Sequence, residues 1–132
     1  MNTLTQADYE LIQAARDIIK KNYDGKDFFH TVGAALRTKN GNIYLGVNVY
    51  SLHGACAEQI ALGNAITNGE REFASVVAVR GANGEEILPP CGNCRQILAN
   101  YAPDCEVILS DGGEGLKVNI SELLPFIYTV VN

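Results

Sequence analysis

Apolar residues recur at Tyr9, Ile12, Ala15 and Ile19, a helical spacing that predicts an amphipathic helix over Leu4–Asn22. Thr5 stands where an N-cap belongs, Asp8 three residues on completes a capping-box pattern, and Leu4 and Tyr9 are placed to staple across the cap. The pattern then changes. Val32–Thr38 and Ile43–Asn48 read as two strands around Lys39-Asn40-Gly41-Asn42, whose Asn-Gly pair signals a hairpin turn. Ile60, Ala61, Asn64 and Ala65 restore the helical period over Cys56–Thr67, and Asn68-Gly69 supplies its stop.

Phe73–Val79 is a dense β-branched run suited to a buried strand, followed by a loop at Gly81–Gly84. Pro90 precedes a second such helix, Cys91–Asn100, and Glu106–Leu109 gives the next strand. Beyond a Gly112-Gly113 turn lie a short segment at Leu116–Val118, a brief helix near Ser121–Leu124, and an apolar tail from Phe126 to Val131. Helices alternating with strands predict an α/β sandwich around one mixed sheet of about five strands, antiparallel at the hairpin and parallel where helices intervene. With 132 residues the expected organisation is one domain over 1–132, large enough to close a core without disulfides.

The charge balance narrows the partners. Net charge is −5 and no Lys/Arg cluster stands out, so a nucleic-acid backbone would gain little from this surface. No stretch approaches the roughly 20 apolar residues of a membrane span, and the N-terminus carries no basic segment followed by an apolar run. The expectation is a soluble, cytoplasmic protein with neither nucleic acid nor membrane as partner. In that reducing setting the thiols of Cys56, Cys91, Cys94 and Cys105 point to a metal or to catalysis rather than to disulfides.

Cys91-Gly92-Asn93-Cys94 sets two thiols three residues apart at a helix N-terminus, on one face and within reach of one ion. Cys56 opens the other helix and Glu58 follows two residues later; both face one site only if Cys56 lies at the helix entrance. Three thiolates form a protein ligand set for one catalytic zinc with the fourth position open, leaving Glu58 to manage protons. A divalent ion with three thiolates carries net charge −1, which two helix N-termini and Arg95, beside Cys94, are placed to offset.

Cys56-Ala57-Glu58 followed by Pro90-Cys91-Gly92-Asn93-Cys94-Arg95-Gln96 resembles the cytidine deaminase superfamily in its three-cysteine form. The likeness extends to Val32-Gly33-Ala34-Ala35-Leu36, Gly46-Val47-Asn48-Val49 and Leu123-Leu124-Pro125. It implies a three-layer α/β/α sandwich on a five-stranded mixed sheet, zinc at two helix N-termini, hydrolytic deamination of a cytosine nucleoside, and a homotetramer. By the same resemblance Asn48 contacts the sugar and the Ala57 backbone the exocyclic amine.

Several positions depart from the family pattern. Tyr50 stands where cytidine deaminases place a ribose-binding glutamate, and together with chain length and Tyr128 it is more like the blasticidin S deaminases. Glu85 falls near the basic residue that serves the antibiotic's carboxylate in those enzymes, and the chain has no tryptophan. His30 occupies the place of a phenylalanine that meets the pyrimidine, and Gln59 that of an arginine that neutralises thiolates.

His30, Tyr50 and Tyr128 therefore stand as candidate substrate contacts, with packing or subunit contacts as their other reading. A different class also stays open. Cys105 or His53 as a fourth ligand would make the zinc purely structural, against the readings of Cys105 as an inert core thiol and His53 as a loop residue.

Overall fold

The computed structural model describes residues 2–129, so the end of the expected apolar tail lies outside the described residues. After a two-residue strand, β1 (Asn2–Thr3), the chain enters α1 (Gln6–Asn22), capped as the sequence dictates. Asp8 N–H donates to the Thr5 hydroxyl at 3.4 Å, and the Asp8 carboxylate accepts from Thr5 N–H at 2.8 Å. Of the two residues expected to staple across the cap, Leu4 packs against the core cluster that α1 helps form, while Tyr9 is exposed and donates its hydroxyl to the Glu114 carbonyl.

β2 (Val32–Thr38) and β3 (Ile43–Val47) form the expected hairpin, and α2 (Ala57–Thr67), β4 (Phe73–Arg80), α3 (Gly92–Tyr101), β6 (Glu106–Leu109) and β7 (Leu116–Asn119) follow close to their predicted bounds. β5 (Glu86–Leu88) was not legible in the sequence. A 3-10 turn at Ile120–Leu123 takes the place of the brief final helix. The sheet has seven strands rather than five, in the order β1-β7-β6-β4-β2-β3, with β5 pairing β4 outside that path. The two extra strands, of two and three residues, are too short to leave any periodicity.

Strand alternation divides the core into two layers. Ala34, Leu36, Val76, Ala78 and Val107 pack with α2 and α3, whereas Ala35, Val77, Val79 and Ile108 pack with α1. The result is the α/β/α sandwich. β2 runs antiparallel to both β3 and β4, so β3 and β4 run parallel across it, and β4 and β6 pair directly in parallel with α3 between them in sequence.

Two glycines set how closely the helices approach. A Cβ on Gly33 would lie 2.6 Å from the Ala15 carbonyl oxygen of α1, and one on Gly46 would lie 2.5 Å from Ala61 N of α2. Both helices rest directly on strand backbone at these points.

Candidate metal centre and active site

Nine residues separate the end of β3 from the start of α2, and α3 starts just beyond β5; the two helix N-termini converge beside the N-terminal end of β2. Cys56 is the N-cap of α2 and Cys91 that of α3, each with extended backbone. The N-cap position resolves the spacing problem of Cys56 and Glu58, because a capping residue lies outside the helical rotation and its side chain turns toward the same cavity as a first-turn residue. Cys94 is buried in the first turn of α3.

The sulfurs of Cys56 and Cys91 are 3.6 Å apart, those of Cys91 and Cys94 3.3 Å, and all three lie within 4.8 Å of one another. Tetrahedral zinc with Zn–S of about 2.3 Å needs sulfurs about 3.8 Å apart, so the donor set fits that ion with adjustments of tenths of an ångström. Among the described residues neither His53 nor Cys105 belongs to this cluster. Cys105 is fully buried in the core beside α3, where burial pushes its thiol up to about 12. Among the described residues no fourth ligand joins the three sulfurs, which is the arrangement of an open site.

The thiols differ in character. Burial pushes Cys56 up, and burial with the neighbouring Glu58 charge pushes Cys94 far up. Burial opposes ionisation at Cys91 as well, but the Cys94 backbone N–H and the adjoining thiols outweigh it and hold Cys91 below its ordinary value. Glu58 is only 6% exposed, and burial raises its carboxyl above the usual carboxylate range. A carboxyl shifted in this direction is better suited to hold and return a proton than an ordinary exposed carboxylate.

These residues open into a cavity of about 310 Å³ that Asn48, Tyr50 and Ala57 also line. His53, read from the sequence as a loop residue or a fourth ligand, lines it too, as does Ser51, which the sequence did not single out; the loop immediately before Cys56 has to border the site, and that adjacency was the available signal. No Lys or Arg is among the lining residues.

Other candidates are placed differently. His30 is outside the lining, with its ring Nδ1 2.8 Å from the Asn48 carbonyl oxygen. Tyr128 is exposed, outside this cavity, and its carbonyl accepts from the Gln96 side chain. Arg95 directs its guanidinium to the Pro90 carbonyl at 2.8 Å and the Leu123 carbonyl at 3.2 Å, because those backbone acceptors lie on the side of α3 from which Arg95 projects. The side chain that reaches a sulfur is Gln59, whose Nε2 donates to Cys94 Sγ at 3.5 Å. Arg95 thus braces the segment entering α3 through two backbone carbonyls, while the hydrogen bonds to the sulfurs come from Gln59 and the Cys94 backbone N–H.

Comparison with known proteins agrees with this geometry. The profile of the cytidine and deoxycytidylate deaminase zinc-binding region matches residues 5–110. A blasticidin-S deaminase of Bacillus cereus is 40% identical, covering 96% of this chain and 95% of its own, and a cytidine deaminase of Halalkalibacterium halodurans is 38% identical over 74% of this chain and 76% of its own. Among solved structures, the cytidine deaminase of Burkholderia pseudomallei superposes with a TM-score of 0.76 at 31% identity, covering 95% of this chain and 100% of that one. On fold, ligand cluster and similarity together, this chain belongs to the cytidine and deoxycytidylate deaminase zinc-binding family.

Proposed function

We propose that the protein hydrolyses the exocyclic amine of a cytosine nucleoside, giving the uracil nucleoside and ammonia, with one zinc held by Cys56, Cys91 and Cys94. The observation that carries this is the buried Glu58 carboxyl facing the same cavity as three convergent sulfurs, with no fourth protein ligand among the described residues. Zinc bound there supplies Lewis acidity, lowering the pKa of a water to about 7. Glu58 would take a proton from water and give it to the pyrimidine ring nitrogen as the water oxygen bonds to the adjacent carbon, then carry the proton of the new hydroxyl to the amine, whose C–N bond breaks as the carbonyl forms and ammonia leaves. Burial serves all three transfers, since it keeps bulk water from competing for the carboxylate.

The absence of Lys and Arg from the lining favours a nucleoside over a nucleotide, because a phosphate would meet no cation there while approaching thiolates and Glu58. Tyr50 in the cavity wall, and the near-full-length match to a blasticidin-S deaminase, favour a second substrate of the same chemistry, the antibiotic blasticidin S. In this reading Asn48 meets the sugar, the Ala57 backbone meets the amine, and Tyr50 lies against the sugar in place of an acidic residue.

The reading extends to a single domain over 1–132, a homotetramer and a cytoplasmic setting. Leu52, Phe126 and Tyr128 leave large apolar surface exposed, which supports the assembly and gives Tyr128 a subunit contact. Four free cysteines support a reducing compartment. The test is ammonia release by zinc-quantified protein from cytidine, deoxycytidine, cytidine monophosphate, blasticidin S and free cytosine. Turnover of a nucleoside or the antibiotic, with the monophosphate much poorer, is expected; one zinc per chain with no turnover of any of these overturns the proposal.

A further inference from the structure

The segment just before β2 is held in place by backbone geometry. The Asp24 carboxylate accepts from the N–H groups of Lys26, Asp27 and Phe29 at 3.1, 3.1 and 3.2 Å, and Asp24 N–H donates to the His30 carbonyl at 2.9 Å. Tyr50 N–H in turn donates to the Phe29 carbonyl at 3.2 Å. This built loop delivers His30, Thr31 and Val32 to one partner, Asn48.

Four hydrogen bonds then fix Asn48. Its N–H donates to the Val32 carbonyl at 3.2 Å, and its side-chain Oδ1 accepts from Thr31 N–H at 2.8 Å and Val32 N–H at 3.0 Å. Its carbonyl lies 2.8 Å from His30 Nδ1. A carbonyl oxygen only accepts, so His30 must carry its proton on Nδ1. With Oδ1 doubly occupied, the polar group Asn48 retains for the cavity is the Nδ2 amide, whose one protein acceptor, the Thr31 hydroxyl, stands at the limiting distance of 3.5 Å.

We infer that His30 is a positioning residue: by donating from Nδ1 to the Asn48 carbonyl it locks Asn48 so that the side chain offers a hydrogen-bond donor, and no acceptor, to a sugar hydroxyl oxygen. The inference rests on the cytosine-nucleoside reading above and changes His30 from a candidate ring contact into a group that acts through Asn48. Without the Nδ1 donor the Asn48 carbonyl loses its partner and the Asn48–Val49 peptide is held by the Val49 N–H alone, which donates to the Ala55 carbonyl at 2.9 Å, so the amide's aim is less firmly fixed. The loss falls only on substrates that carry the sugar hydroxyl.

The test compares kcat/KM for cytidine and 2′,3′-dideoxycytidine in wild type, His30→Ala and His30→Asn, each checked for zinc content and melting temperature. His30→Ala is expected to lose about tenfold on cytidine, the size of one well-placed hydrogen bond, and under about twofold on the dideoxynucleoside. His30→Asn, whose amide nitrogen stands close to the position of Nδ1, restores the cytidine rate. Equal losses on both substrates, or no restoration by Asn, overturn the inference, since a merely structural histidine lowers both alike. A wild type active on neither nucleoside sinks the substrate reading instead. In the unmutated protein, a long-range 1H–15N spectrum above the imidazole titration must show His30 protonated on Nδ1; the Nε2-protonated form overturns the inference without any variant.

Discussion

Gly46→Ala tests whether the site depends on how α2 sits on the sheet. The added Cβ would stand 2.5 Å from Ala61 N, 2.7 Å from the Ala57 carbonyl oxygen and 2.9 Å from the Ile60 Cβ, where ordinary contact begins at 3.4 Å. Two of these neighbours are helix backbone, which cannot swing aside like the end of a side chain. α2 must therefore lift from β3 by nearly 1 Å at its first two turns. Those turns bury Ala57, Ala61 and Leu62, and overpacking of this kind costs about 1–3 kcal/mol. For a chain of this size that lowers the melting temperature by about 3–10 °C.

The same lift displaces Cys56 and Glu58 relative to Cys91 and Cys94, which ride on α3. A shift of about 1 Å between catalytic groups costs on the order of a hundredfold in rate. Zinc affinity should fall with it. Urea unfolding, zinc competition against a chromogenic chelator and kcat/KM on the preferred nucleoside measure the three effects. A Gly46→Ala protein with wild-type stability and wild-type turnover would falsify the claim that α2 rests on β3 backbone and that this contact registers the site.

Three further outcomes follow from the same geometry. Glu58→Gln keeps the side-chain volume and removes the proton carrier, so zinc content stays at one per chain while kcat drops at least about a thousandfold, roughly 4 kcal/mol of barrier; metal analysis beside ammonia release decides it, and substantial residual turnover refutes the role. Cys94→Ala removes a buried ligand and should abolish zinc retention, leaving the variant and the chelated wild type with the same lowered melting temperature; full zinc content in the variant would show the ligand misassigned. Asp8 is buried, which by itself raises its carboxyl, but the Thr5 N–H, the Lys117 ammonium at 2.9 Å and the Thr5 hydroxyl at 3.0 Å outweigh burial and hold it below the ordinary value. Its contribution is present above the unfolded pKa of about 3.9 and is lost as pH falls through the lower folded value. Asp8→Asn should therefore cost about 1–2 kcal/mol at neutral pH, with the gap to wild type closing in acid; a gap that widens on acidification refutes the assignment.

Much of the fold was legible because its signals are local. Thr5 and Asp8 cap α1 where a capping box predicts, Asn40-Gly41 turns the hairpin with Gly41 at φ +91°, and Asn68-Gly69 ends α2. β1 and β5 escaped notice because strands of two and three residues exist only through the neighbours they pair with, Lys117 and Leu116 for one, Ala78 to Arg80 for the other. Yet β5 matters: it leads the chain at Leu88 toward Cys91, beside the cavity that Leu88 itself lines.

The thiol cluster and its neighbouring carboxyl were readable as residue types at fixed spacing, since Cys56, Glu58, Cys91 and Cys94 owe their placement to the N-caps and first turns of two helices. What the sequence by itself determined was this inventory: two helix starts bearing three thiols and a carboxylate, on an alternating α/β chain. Which side chains serve them was decided only by tertiary structure. Arg95 and Gln59 stand one residue after Cys94 and Glu58, but the rotation of each helix on the sheet sends the guanidinium to the Pro90 and Leu123 carbonyls and the amide to Cys94. Likewise His30 and Asn48 are eighteen residues apart and meet only because β2 begins beside the end of β3. Helical period and capping act over a few residues and are written in the chain; direction across a packed interface depends on how separate elements dock, and no local pattern encodes that.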